Sequence, residues 1–408
     1  MGKKLSRIIN RLLIVTLMFI ITACQSPLSL LPPIATAVPS DTPIPPTNTP
    51  TETATPTSTS TPTLTPTVTP TKTPTPVIYG PSNYPTDVDP LTGLKVADPK
   101  ILDRRPVLVK VSNFPSNGRP HAGLSPADIV FEYYIGEGTN RFLALYYGQN
   151  APKIGPIRSG RLVDGQLVNQ YQGILAFVSA DVNAVLPVIY NELGNRAITY
   201  YFSTCPALCD DGRNSVISVF ADSAKLTEYA ATKLAIAKTR YDLKGMYFNS
   251  QSPDTGLVAD KITVTYNPQD VGEWRYDKTT GKYLRWIENV DNNNKVTMIP
   301  LVDANIGKQL AFSNVVILFA KYTQYAPTLH DINMWNNTKG ERAVLFRDDK
   351  AVDGIWKSNG KFSPIQFFTS DGKPMPFKSG NSWMVISGEN TELKQSVLGQ
   401  WEMQFHLP

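Results

Sequence analysis

Arg119, Arg141, Arg158 and Arg161 fall, with His121, Asp128, Glu132 and Glu137, inside a stretch of 43 residues. A guanidinium is a planar fork of donors that matches a carboxylate or a phosphate two oxygens at a time, so four of them in one neighbourhood point to an anionic group. Glu132 and Glu137 then either pair with the arginines or bind an amine. The competing reading is a salt-bridge network that supports the fold, or arginines that face solvent one by one. The set Arg119, His121, Glu132, Glu137, Arg141, Arg158 and Arg161 is taken as the ligand-binding candidate and is expected to converge on one concave face.

Catalytic chemistry has less support. His121, His330 and His406 are the only histidines, and no G-x-S-x-G, H-E-x-x-H or paired-cysteine metal pattern occurs. His121 beside Glu132 would make an acid/base pair, but a lone histidine next to a proline is more often a hydrogen-bonded structural residue. Glu132 and Glu137 could be imagined as a glycosidase pair, but adjacent strand and turn positions do not fix the carboxylate separation that glycoside hydrolysis requires. No catalytic residue, metal or cofactor is assigned, and the chain leans away from being an enzyme.

Three cysteines remain, and each has a place. Lys3, Lys4, Arg7 and Arg11 form a basic segment without an acid, and an apolar run from Leu12 to Ile21, broken only by Thr16, comes next. Such a run is a secretory signal and too short to span ~30 Å of hydrocarbon. Ile21-Thr22-Ala23-Cys24 then reads as a lipobox, with Cys24 as the lipidated residue, cut in front of it. Cys205 and Cys209 are left as a pair, read as a local disulfide, with two free thiols as the alternative. A metal site there would need further ligands that the nearby sequence does not supply.

Removing residues 1–23 takes away four of the 39 Lys and Arg and none of the 34 Asp and Glu, which leaves a net charge of +1. A nearly neutral chain offers no basic stripe for nucleic acid, and that partner class is excluded. Residues 32–76 hold 13 Pro and 17 Thr and no aromatic residue. They cannot bury enough apolar surface to offset their ordering entropy, so they are read as an extended spacer. The expected organisation is a signal peptide at 1–23, a lipid-anchored Pro/Thr-rich stalk at 24–80, a first domain at 81–248 and a second at 249–408.

Elements to position the charged set are read from the β-branched and aromatic runs. Strands are expected at 107–112, 128–135, 141–147 and 174–179, with a hairpin turn through Gly136 and Gly138, and helices at 182–193 and 221–238. All six tryptophans lie after residue 270, among short strand-like runs at 261–266, 274–277, 283–287, 315–320, 343–347, 354–357, 365–369 and 383–387. The fold class is therefore an α/β or α+β N-terminal domain followed by a mainly β C-terminal domain. The polar stretch between 245 and 256 is the expected seam.

Several blocks resemble a known family. Asp89-Pro90-Leu91-Thr92-Gly93, the run from Arg119 to Glu132, Thr139-Asn140-Arg141-Phe142 and Gly155-Pro156-Ile157-Arg158-Ser159-Gly160-Arg161 are similar to the YerB-like lipoproteins. Trp274-Arg275-Tyr276-Asp277, Tyr283-Leu284-Arg285, Gly354-Ile355-Trp356-Lys357 and Ser379-Gly380-Asn381-Ser382-Trp383 resemble that family's C-terminal β domain. The resemblance implies two domains of unassigned function. The chain departs from the pattern at Ser179-Ala180-Asp181, where relatives more often carry a Gly/Ser-rich turn. Function is expected to be extracytoplasmic, on the outer face of the cytoplasmic membrane and held by lipid on Cys24. The expected partner is a cell-wall polymer or an envelope protein, bound through an anionic group. The alternatives are a wall-polymer hydrolase or transferase, or a structural assembly factor.

Overall fold

The computed structural model describes residues 75–213 and 215–407. The expected signal peptide, Cys24 and almost all of the stalk lie outside the described residues. The described chain is mostly β, with a mixed first half and a strand-rich second half.

Val107–Ser112 is buried at every position, as the aliphatic run of Val107, Leu108, Val109 and Val111, interrupted only by Lys110, requires of a strand covered on both faces. It pairs in parallel with Ile174–Phe177, which pairs in parallel with Ala197–Thr199. On its other side lies Thr139–Tyr146, antiparallel, then Ile129–Gly136. Next come two strands of the second half: Ser382–Gly388 runs parallel to Ile129–Gly136, and Asn314–Ala320 runs parallel to Ser382–Gly388. Glu341–Arg347, Lys350–Lys357 and Gln366–Thr369 continue the sheet as antiparallel neighbours.

The two sequence halves thus share one sheet and one hydrophobic core, in which Phe131 and Leu143 are continuous with Leu318 and Val385. The segment read as a polar seam contains a strand, Tyr247–Asn249, held between Ile78–Tyr79 and Pro376–Phe377 with Phe248 fully buried. Gly245 and Met246 before that strand and residues 250–256 after it are irregular. Trp274, Trp356 and Trp383 are buried, so the tryptophans that mark the second half serve mainly as core.

Seven of these strands run in one direction: 107–112, 129–136, 174–177, 197–199, 314–320, 350–357 and 382–388. Their carboxyl ends form one edge of the molecule, and the antiparallel strand Thr139–Tyr146 begins there. Leu162–Gln170 is a helix that the sequence reading misses, because with eight of its nine residues buried it shows no amphipathic stripe. Leu186–Leu193 and Ser223–Lys233 are the cores of the two expected helices. Among the described residues no helix is long and apolar enough to cross a membrane.

Candidate functional site

Strand parity divides the charged set. Glu132 faces Phe142 across the hairpin and Tyr133 faces Arg141, so Glu132 and Arg141 project from opposite faces of the sheet. The expected single cluster is therefore two, and one position belongs to neither. Glu137 stands exposed at the hairpin turn with φ at 52°. Asp128, at the far end of its strand, is spent on the backbone N–H groups of Tyr147 and Gly148.

On the Glu132 face the charges are paired and dry. The Glu132 carboxylate accepts hydrogen bonds from Trp383 Nε1 at 2.8 Å and Asn140 Nδ2 at 3.1 Å, and an Arg285 Nη2 lies 3.3 Å away. Glu132 and Arg285 are both essentially fully buried, and the Arg285 guanidinium lies 4.1 Å from the Trp274 ring centre. Burial pushes the Glu132 carboxyl up, against the pull of Arg285. Arg119 pairs with Glu288 at 2.7 Å and donates to Asn113 Oδ1 at 3.0 Å. His121 Nε2 sits 2.7 Å from the Ser112 carbonyl, which makes it the protonated nitrogen, and its ring packs edge-on against Phe142. Arg119, His121 and Glu132 therefore belong to a network that joins the two halves; His121 and Glu132 are buried in it, while Arg119 and Glu288 also line a cavity beside Phe114 and Pro300.

Arg141, Arg158 and Arg161 form the other group. The segment from Arg158 to Arg161 crosses the carboxyl ends of two parallel strands: Arg158 N–H donates to the Lys110 carbonyl, Val178 N–H to the Arg158 carbonyl and Gly160 N–H to the Ser179 carbonyl. The guanidiniums donate only to main-chain oxygens, Arg141 to Ser159 at 2.9 Å, Arg158 to Val216 at 3.2 Å and Arg161 to Gly160 at 2.9 Å. Among the described residues none has a carboxylate within ion-pair distance, and each keeps a buried Nε–H without an acceptor. An unmatched Nε–H alone is no distinction, since Arg119 and Arg285 share it. The absence of a carboxylate partner is what separates the two groups. Burial, and then the charges of Arg161 and Arg158, push Arg141 down to about 9.

Beneath them lies a floor that sequence reasoning did not name. Lys110 is completely buried, 3.2 Å from Asp164 and 3.9 Å from the centre of the Tyr133 ring, and Tyr133 hydrogen-bonds to Asp164. Burial drives Lys110 down to about 7, opposed by Asp164 and reinforced by Arg141 and Arg161. Asp164 also accepts the Arg161 backbone N–H at 2.7 Å, capping Leu162–Gln170. Its carboxylate is thus committed to Lys110, Tyr133 and the helix terminus. A signal was present: a single lysine inside Val107-Leu108-Val109-Lys110-Val111 is out of place in a strand buried on both faces unless it has a partner. The Ser179-Ala180-Asp181 departure lies at the rim of this cluster.

Cys205 and Cys209 are joined by a disulfide. It ties the turn at Phe202–Thr204 to Leu208–Asp210, which pairs with Val219–Ala221.

Residues 91–234 match the family model described as "Protein of unknown function (DUF3048) N-terminal domain", and residues 262–384 match the C-terminal domain of the same family. The chain is 30% identical over 313 residues to the protein of Bacillus subtilis (strain 168) named "Putative lipoprotein YerB", an alignment that covers 73% of this chain and 85% of that one. The crystal structure of the YerB protein from Bacillus subtilis is similar, with a TM-score of 0.57 and 26% identity, over 73% of this chain and 96% of that chain.

Proposed function

The chain belongs to the DUF3048 family, and from that membership we propose that it is an extracytoplasmic lipoprotein, anchored through Cys24, that binds an anionic envelope ligand at Arg141, Arg158 and Arg161. The Ile21-Thr22-Ala23-Cys24 tetrad and the name of the Bacillus relative support the anchor. Cys24→Ala removes the acceptor thiol, so metabolic labelling with a lipid precursor is expected to mark the wild-type chain and leave the variant unlabelled. Equal labelling of both would remove the anchor from this account.

One observation supports the anion site: three neighbouring guanidiniums with no carboxylate partner among the described residues, where the same fold pairs Arg119 and Arg285. A structural network would neutralise its buried charges, because an uncompensated one is costly. A recognition site keeps them open for the ligand. Pyrophosphate is a suitable probe, since its oxygens accept several guanidinium donors at once. It is expected to raise the thermal midpoint of the wild-type chain, as any ligand that binds only the folded state does. Arg158→Ala is expected to lose at least about tenfold in pyrophosphate affinity, the equivalent of one charge-assisted hydrogen bond. Its own midpoint should hardly move, because Arg158 is only partly buried and has no ionic partner. A variant that melts much earlier, or that binds the probe normally, contradicts the proposal.

A further inference from the structure

The carboxyl-end edge of the sheet carries more than arginines. Among the described residues six large apolar or aromatic side chains are at least 60% exposed: Val182, Tyr201, Phe202, Val216, Tyr325 and Leu398. All but Leu398 lie along this one edge. Val182 follows the end of Ile174–Phe177, and Tyr201 and Phe202 follow the end of Ala197–Thr199. Val216 lends its carbonyl to Arg158. Tyr325 belongs to the hairpin of Tyr322–Ala326 and Leu329–Ile332, whose turn closes over Gly136 so tightly that a side chain there would strike the Pro327 carbonyl.

Singly exposed apolar residues need no explanation, but a row of them around a basic cluster without ion-pair partners does. Phe202, 92% exposed, lies just ahead of the loop that the Cys205–Cys209 disulfide closes. Aromatic rings with one apolar and one wet side favour the headgroup zone of a bilayer, and guanidiniums there meet lipid phosphates. The nearby acids offset this charge in part without forming an ion pair with it: Asp164 and Asp181 both act on Arg161, and Asp164 on Arg141, while Glu137 stands at its turn and Asp181 also accepts the backbone N–H groups of Asn183 and Ala184.

We propose that this edge docks on the surface of a bilayer containing anionic phospholipid, with lipid phosphate among Arg141, Arg158 and Arg161 and with Phe202 and its exposed neighbours in the headgroup layer. The inference rests on the anion-site reading above and names the source of the anion. It gives the lipoprotein a second contact with a membrane, independent of the acyl chains.

The test uses the full mature chain carrying Cys24→Ser, so that acylation contributes nothing, and sedimentation with vesicles of phosphatidylcholine alone or mixed with phosphatidylglycerol. Binding is expected only to the mixed vesicles. Tyr201→Ser/Phe202→Ser and, separately, Arg158→Gln/Arg161→Gln are each expected to weaken it by about tenfold or more. The serine variant should keep its pyrophosphate-induced rise in midpoint, while the glutamine variant loses it. Vesicle binding that ignores the serine changes overturns docking and leaves the anion site standing. So does a chain that binds pyrophosphate but neither vesicle. A chain that binds neither pyrophosphate nor vesicles overturns both readings.

Discussion

Arg285→Ala is expected to cost about 3 to 5 kcal/mol of folding free energy, the usual penalty for leaving one member of a buried ion pair without the other. Arg285 is 1% exposed and Glu132 not at all, and the guanidinium also fills the space between the rings of Trp274 and Trp383. Its loss strands the Glu132 carboxylate and opens a void in the contact between the two halves. Trp383 Nε1 and Asn140 Nδ2 would still donate to that carboxylate, which keeps the penalty from growing further. Glu132→Gln/Arg285→Met removes both charges at similar volume and is expected to recover most of the loss. Urea unfolding of the single and double variants measures both quantities. A single variant within about 1 kcal/mol of wild type would mean that the pair contributes little and that apolar packing alone joins the halves.

Acid should destabilise the protein through His121. Its pKa is pushed down to about 3 by burial and then by the charge of Arg119, against an ordinary value of 6.5. The structural reason is visible: Nε2–H donates to the Ser112 carbonyl, while Nδ1 is buried without a partner, so a second proton would have no acceptor. Above pH 6.5 the ring is neutral in folded and unfolded chains alike, and pH has no leverage on it. As pH falls below 6.5 the unfolded chain takes up a proton that the folded chain refuses, so stability is lost progressively down to about pH 3. At pH 4.5 this one group accounts for about 2 to 3 kcal/mol. His121→Gln keeps a donor for the Ser112 carbonyl and removes the titration. It is expected to start less stable at pH 7.5 and to lose less than wild type between pH 7.5 and 4.5. Carboxylates titrate in both proteins, so the difference between their urea midpoints isolates the histidine. Parallel curves would show that His121 is reached by protons in the folded state.

The sequence made some of this legible and hid the rest for physical reasons. Runs such as Val107–Ser112 and Ser382–Gly388 announce strands because a doubly covered strand is mostly apolar, and a charged exception such as Lys110 is partnered inside the fold. The same burial conceals Leu162–Gln170, where Gly165 and the buried polar residues Asp164, Gln166, Asn169 and Gln170 erase any apolar helical period. The arginines that lack carboxylate partners were among the residues singled out from sequence, but their separation from Glu132 was not anticipated. A one-residue bulge in the hairpin decides it: Gly136 pairs with Thr139, but the register shifts before Tyr134 pairs with Asn140, so Arg141 falls opposite Tyr133 instead of Tyr134. The partners of Arg119 and Glu132 were beyond sequence reasoning, because Glu288, Arg285 and Trp383 are more than 150 residues away along the chain and meet them only when the second half joins the sheet.

The most direct measurement is the NMR response of the arginine Nε–Hε groups to inorganic phosphate in the folded, full mature chain. Arg141, Arg158 and Arg161 carry buried Nε–H groups without acceptors and, among the described residues, no carboxylate in ion-pair contact, and their resonances are expected to shift together along one saturable curve. Arg119 and Arg285, matched to Glu288 and Glu132, serve as internal controls and are expected to stay in place. Shifts confined to exposed arginines, or a common drift of all of them that tracks ionic strength alone, would contradict the anion site.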